Sequence, residues 1–155
     1  MVTCYFKEVG EGAVARITDH LAQTSSQLEE AGFKVVRAKL EHESQPTFRK
    51  FSREHYHETH IKLAIPRDRY DEVYLTLQKL GQELDFVPSR NPLAQQSDHV
   101  VQFLNNRLYE GSAESADHMI SSVLDRLEAL DVDVLETKRE TVVFDTHQQL
   151  DQWWA

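Results

Sequence analysis

Residues 55–65 read His55-Tyr56-His57-Glu58-Thr59-His60-Ile61-Lys62-Leu63-Ala64-Ile65. Ile61, Leu63 and Ile65 form one alternating set and are apolar. Tyr56, Glu58, His60 and Lys62 form the other and carry polar or charged groups. A period of two puts each set on one side of a β-strand, so this stretch predicts a strand with one side in a core and the other side charged. The same pattern recurs at Phe33–His42, where Val36, Ala38 and Leu40 oppose Val35, Arg37, Lys39 and Glu41. It recurs again at Val132–Asp145, where one set runs Val134, Glu136, Lys138, Glu140 and then Val142 and Phe144. That set turns from charged to apolar near Thr141, which predicts a bulge or a change of partner there. Thr3–Val9 and Val100–Tyr109 read as further strands, with a short run at Glu83–Val87.

Between the strands lie helical periods. In Glu11–Ala31 the apolar positions are Val14, Ile17, Leu21 and Leu28, with Gly32 as a C-terminal stop. In Arg67–Leu80 they are Tyr70, Val73, Tyr74, Leu77 and Leu80, with Pro66 ahead and Gly81 as the expected end. In Ala113–Leu130 they are Ala116, Ile120, Val123, Leu127 and Leu130, and Ser112 stands as N-cap. A short helix is expected at His147–Trp154.

The order predicts an α+β domain of ferredoxin-like type, an antiparallel sheet with helices packed on one face. Sliding the chain by 99 residues lays Thr3–Glu41 on 102–140 with seven identities, among them Val35 on Val134, Lys39 on Lys138 and Glu41 on Glu140. Turn, helix end and strand stay in phase. The expectation is one domain over 1–155, built from duplicated β-α-β units at about 3–42 and 100–145, with a β-α insert at about 55–87.

The chain has 155 residues, which suits one domain with a sizeable core. Seventeen basic against 26 acidic residues give a charge of −9, which argues against a nucleic-acid partner. The lone Cys4 excludes an internal disulfide framework and is expected to be buried rather than nucleophilic. No apolar run reaches membrane-span length, so no membrane partner is expected and a cytoplasmic location follows as the default. Phosphate-loop, dinucleotide-binding and nucleophile-elbow motifs are all missing from the sequence.

The charged strand sides carry the functional expectation. If Phe33–His42 and His55–Ile65 form a hairpin, Lys39 lies near Glu58 and Arg37 near His60. Arg37, Lys39, Lys62 and Arg107 would then hold an anionic small molecule, phosphorylated by preference, with Arg90 reaching across from the loop Val87–Asp98. His60 would be the general acid or base and Glu58 would orient it. Glu41 and Glu140 are candidates for holding a divalent cation. His55 and His57, i and i+2 on a strand, with His42 across the hairpin neck, form a second candidate metal set. The segment Gln45–Arg53, with Arg49, Lys50 and Arg53 interleaved with Phe48 and Phe51 and no acid, is the most concentrated basic stretch.

The alternation Glu58-x-His60-x-Lys62, with Arg37-x-Lys39-x-Glu41 and Glu136-x-Lys138-x-Glu140, resembles in pattern the triphosphate tunnel enzymes. Those proteins line the inside of a sheet with alternating acids and bases around a metal triphosphate. Their N-terminal E-x-E-x-K strand is missing here, where the first strand reads TCYFKEV. The resemblance covers three short strands and transfers no catalytic residue. The alternative to a small-molecule site is a non-enzymatic interaction module, a homodimer joined by a sheet face or edge, with Trp153 and Trp154 as an apolar anchor. The residues alone leave open whether the chain is an enzyme.

Overall fold

The computed structural model describes residues 12–42, 55–90 and 98–148, the side chain of Arg90 excepted. In chain order the elements are α1 (Ala13–Glu30), β1 (Lys39–His42), β2 (Tyr56–Pro66), α2 (Tyr70–Leu84), β3 (Val87–Arg90), β4 (His99–Leu108), α3 (Ala113–Glu128) and β5 (Asp133–Asp145). A single 3-10 turn, Arg67–Arg69, leads into α2. The fold is α+β, with three helices and a five-stranded sheet in the order β1-β5-β2-β4-β3, every pair antiparallel. No described helix is long and apolar enough to cross a membrane.

β2 decides the architecture. Its Ile61, Leu63 and Ile65 are fully buried and meet Val100 and Leu104 of β4 in one core. Helix α2 adds Tyr70, Val73, Leu77 and Leu80, and α3 adds Val123 and Leu127. Burying such a side chain stabilises by about 1.5–3 kcal/mol, enough to fix which side of β2 turns inward. The segment 55–87 therefore supplies the central strand and a core helix. The sequence-based hairpin does not form: β5 lies between β1 and β2, and the five-strand order is not the classic ferredoxin-like one.

Two local readings are corrected. Gly81 does not end α2, which runs on to Leu84 and closes at Asp85 in the left-handed region (φ 57°). The glycine instead lets the chain fold back: the Phe86 N–H donates to the Gly81 carbonyl at 2.9 Å, and a Cβ on Gly81 would lie 2.1 Å from the Phe86 oxygen. The short strand begins accordingly at Val87, the last residue of the run expected for it, and extends to Arg90 within the stretch read as a loop. Ser112 does cap α3: its Oγ accepts from the Ser115 N–H at 3.3 Å, and Ser115 Oγ accepts from the Ser112 N–H at 2.7 Å.

The change of character in β5 has its cause in the sheet. Pairing with β1 shifts register between Leu40 and Glu41, where β5 carries the extra residue Val143 between Val142 and Phe144. Beyond Glu140 the strand is wedged between β1 and β2, and Val142 becomes fully buried. The first strand Thr3–Val9, the basic stretch Gln45–Arg53 and the end of the chain from Gln149 lie outside the described residues. Of the β-α-β unit expected at about 3–42, α1 and the strand Lys39–His42 fall among the described residues.

Candidate functional site

The registers of β4, β2 and β5 lay the charged positions out as a grid on the sheet side turned away from α2 and α3. Glu58 is flanked by Arg107 on β4 and Glu140 on β5. One step along that face, His60 is flanked by Asn105 and Lys138, and one step further Lys62 is flanked by Phe103 and Glu136. From the edge strand, Lys39 reaches past β5. Its ammonium contacts the Glu58 carboxylate and, on its own strand, that of Glu41.

Glu58 is 1% exposed and is held from several sides. Arg107 Nε donates to Glu58 Oε1 at 2.6 Å, and Lys39 lies on Oε2. Burial pushes the Glu58 carboxyl up, but the imidazole of His60 and the cations of Lys39 and Arg107 outweigh it and hold the group well below the usual carboxylate range. Glu140 is held below its ordinary value in the same way, against burial, by His60 and by Lys138, whose ammonium lies 2.7 Å from Oε1.

His60 sits between these two carboxylates. Its Nε2 is 3.5 Å from Glu58 Oε2 and 3.3 Å from Glu140 Oε2. Its Nδ1 is 2.7 Å from Asn105 Oδ1. Asn105 Nδ2 donates to Ser89 Oγ at 2.7 Å, which fixes the amide with its oxygen toward the ring. Nδ1 therefore carries a hydrogen and donates it, and Nε2 faces the acids. Burial alone would lower the pKa of this imidazole. The carboxylates and the Asn105 oxygen overcome that and hold it at about 10, so the ring is an imidazolium at neutral pH.

A neighbouring cluster locks the edge strand in place. Asp145 accepts from Arg37 Nε at 2.9 Å and Nη2 at 2.6 Å, and from the Tyr56 hydroxyl at 2.6 Å. These bonds outweigh burial and hold the Asp145 carboxyl at about 2. Burial and the adjacent carboxylate push the Tyr56 phenol far above its usual range. Arg107 lies 5.7 Å from the centre of the Tyr56 ring, so the lock and the site share a wall.

Of the residues expected from sequence, Glu58, His60, Lys39, Arg107, Glu41 and Glu140 come together. Lys62 is on the same face, one step along. Arg37 is not beside His60 but stands just before β1, held by Asp145 at the end of β5. His57 is buried on the opposite face, toward the helices, where burial lowers its pKa, so it points away from Glu58 and His60. His42 ends the edge strand opposite Thr141, and His55 precedes β2. Among the described residues, the group whose ligand atoms lie within 4.8 Å of one another is Glu58, His60 and Glu140. Asn105 and Asp145 were not expected at the site, and Tyr56 and Lys138 only as members of the polar sets of their strands. Asn105 was legible, since it stands two residues before Arg107 on an alternating strand.

No known protein family, curated protein or solved structure matches this chain.

Proposed function

We propose that the grid around His60 binds an anionic small molecule, phosphorylated by preference, with His60 as the hydrogen-bonding cation at its centre. The observation that carries this reading is the clamp of one imidazolium between two buried carboxylates that already hold cations of their own. Glu41, Glu58 and Glu140 balance Lys39, Arg107 and Lys138, and protonated His60 leaves the cluster net positive on a chain of charge −9. Lys138, Glu41 and His60, with side chains 42%, 34% and 31% exposed, are its solvent-reaching members. Phosphate oxygens would meet Lys138, Lys62 and His60 first.

An imidazolium with a pKa of about 10 is a poor base at neutral pH. If the site is catalytic, His60 serves as a donor: it stabilises charge on a phosphate oxygen or protonates a leaving oxygen of comparable basicity. Glu58 then holds the ring in position, and Lys39 and Arg107 keep Glu58 ionised. The fold reading that goes with this is a ferredoxin-like unit, β2-α2-β3-β4-α3-β5, with β1 added beside β5. The duplication reading is supported by the places of its matched pairs: Lys39 with Glu41 on one strand and Lys138 with Glu140 on another each form an ion pair, and Lys39 reaches Glu58 of β2 as Glu140 reaches its His60.

The test is a thermal-shift screen with inorganic phosphate, pyrophosphate, nucleoside triphosphates and sugar phosphates. A ligand at about a hundred times its Kd stabilises by about 2.7 kcal/mol. The reading requires a shift that falls in both His60→Ala and Lys138→Met. A shift equal in all three proteins would end it.

A further inference from the structure

We propose that Glu58, His60 and Glu140 hold a divalent transition-metal ion through His60 Nε2 and one oxygen of each carboxylate. Three observations carry this. First, Glu58 and Glu140 are direct cross-strand partners and both are buried. Two carboxylates so placed repel each other, and a cation between them relieves that.

Second, the distances are those of a metal's ligands. Nε2 lies 3.3 and 3.5 Å from the two Oε2 atoms. A charge-assisted N–H···O bond would be about 2.7–2.9 Å. Two ligands each about 2.1 Å from a tetrahedral ion stand about 3.4 Å apart. The clamp is therefore wider than a hydrogen bond wants and matches the edge of a coordination tetrahedron.

Third, the ring is already oriented as a ligand. Asn105 Oδ1 takes the Nδ1 hydrogen at 2.7 Å, and Ser89 Oγ fixes the amide from behind. This places the lone pair of the neutral ring on Nε2, the usual support of a metal-bound histidine. The carboxylates have backing of the same kind: Arg107 occupies the far oxygen of Glu58 and Lys138 the far oxygen of Glu140. Lys39, which contacts Glu58 Oε2, also contacts Glu41 and keeps that partner when an ion takes its place.

One imidazole and two carboxylates suit zinc and its first-row neighbours better than magnesium or calcium. Three protein ligands leave a tetrahedral position for water or for an oxygen of a bound anion. The proposal goes beyond the anion reading and does not depend on it, because the two respond oppositely to one variant. Removing the Lys138 charge weakens an anion and strengthens a cation.

The experiment is a titration of the tag-free, chelator-stripped chain with Co2+, followed by its visible absorption and then by displacement with Zn2+. The expected result is one equivalent of tetrahedral Co2+, lost in His60→Ala and Glu140→Gln and weakened about 10–100-fold in Asn105→Leu. His42→Ala should leave the spectrum unchanged, and Lys138→Met should tighten binding several-fold. No visible band in the wild type, a band that survives His60→Ala, or weaker Co2+ binding in Lys138→Met would each overturn the proposal. Lys138 is 42% exposed, so that variant tests the site without disturbing the core.

Discussion

Raising the pH should destabilise this protein through His60. The folded pKa is about 10 and the unfolded reference is 6.5. Because the folded value is raised, the stabilisation is fully present below the unfolded pKa and is lost as pH rises through the folded one. Between the two values the folded chain holds one more proton than the unfolded chain, so stability falls by up to about 1.4 kcal/mol per pH unit. From about pH 7.5 to about pH 9.5 the loss integrates to roughly 2–3 kcal/mol. For a chain of this size that corresponds to a fall in Tm on the order of 5–10 °C. His57 does not enter this window: its folded pKa is lowered, so its contribution is present above its unfolded value and lost as pH falls. The assay is urea unfolding followed by far-ultraviolet circular dichroism at several pH values, with EDTA present so that no metal replaces the proton. The control is His60→Gln, which keeps an amide in the clamp but cannot titrate. If the slopes of the two proteins agree within about 0.3 kcal/mol per pH unit, the clamp does not hold the proton as argued.

Other expectations follow from the same contacts. Tyr56→Phe leaves the buried Asp145 carboxylate short of one 2.6 Å donor and should cost about 1.5–3 kcal/mol in denaturant unfolding. Acidification should release the same lock: the Asp145 pKa is lowered from 3.8 to about 2, so its contribution is complete above the first value and is lost as pH falls through the second. In Arg37→Met the acid unfolding midpoint should consequently lie at higher pH. Gly81→Ala must displace the Phe86 carbonyl 2.1 Å from the new Cβ and should destabilise by about 1–3 kcal/mol, although alanine ordinarily favours a helix. Ser112→Ala removes the N-cap of α3 and should cost about 1 kcal/mol. Differential scanning calorimetry of the two variants checks both values.

The candidate site was half legible. Glu58, His60, Lys39, Arg107, Glu41 and Glu140 could be read because each belongs to an alternating set, and the apolar partners of that set fix which way it faces. Asn105 carries no charge and drew no notice, yet it decides which nitrogen of His60 faces the acids. Arg37 looked like a ligand and is a lock, because its partner Asp145 lies 108 residues away in the chain. Gly81 looked like a helix end because glycine favours the left-handed cap. Its use is a close approach that only the folded chain displays.

The sequence by itself determined an α+β chain, the apolar stripes of α2 and α3, the two sides of β2, and His60 among charges. These are local properties, set by periods of two and 3.6 residues and by caps a few residues wide. Of the strand expected at Phe33–His42 only Lys39–His42 forms, and Val36 is exposed. Tertiary structure alone decided that β5 enters between β1 and β2, and so that Glu140 and Lys138 stand beside Glu58 and His60. Strand order is a contest between distant segments for the same backbone hydrogen bonds. It is settled by which arrangement buries Ile61, Leu63 and Leu104 under α2 and α3 while giving Glu58 and Glu140 cationic partners at the other face. No window of the sequence contains that comparison.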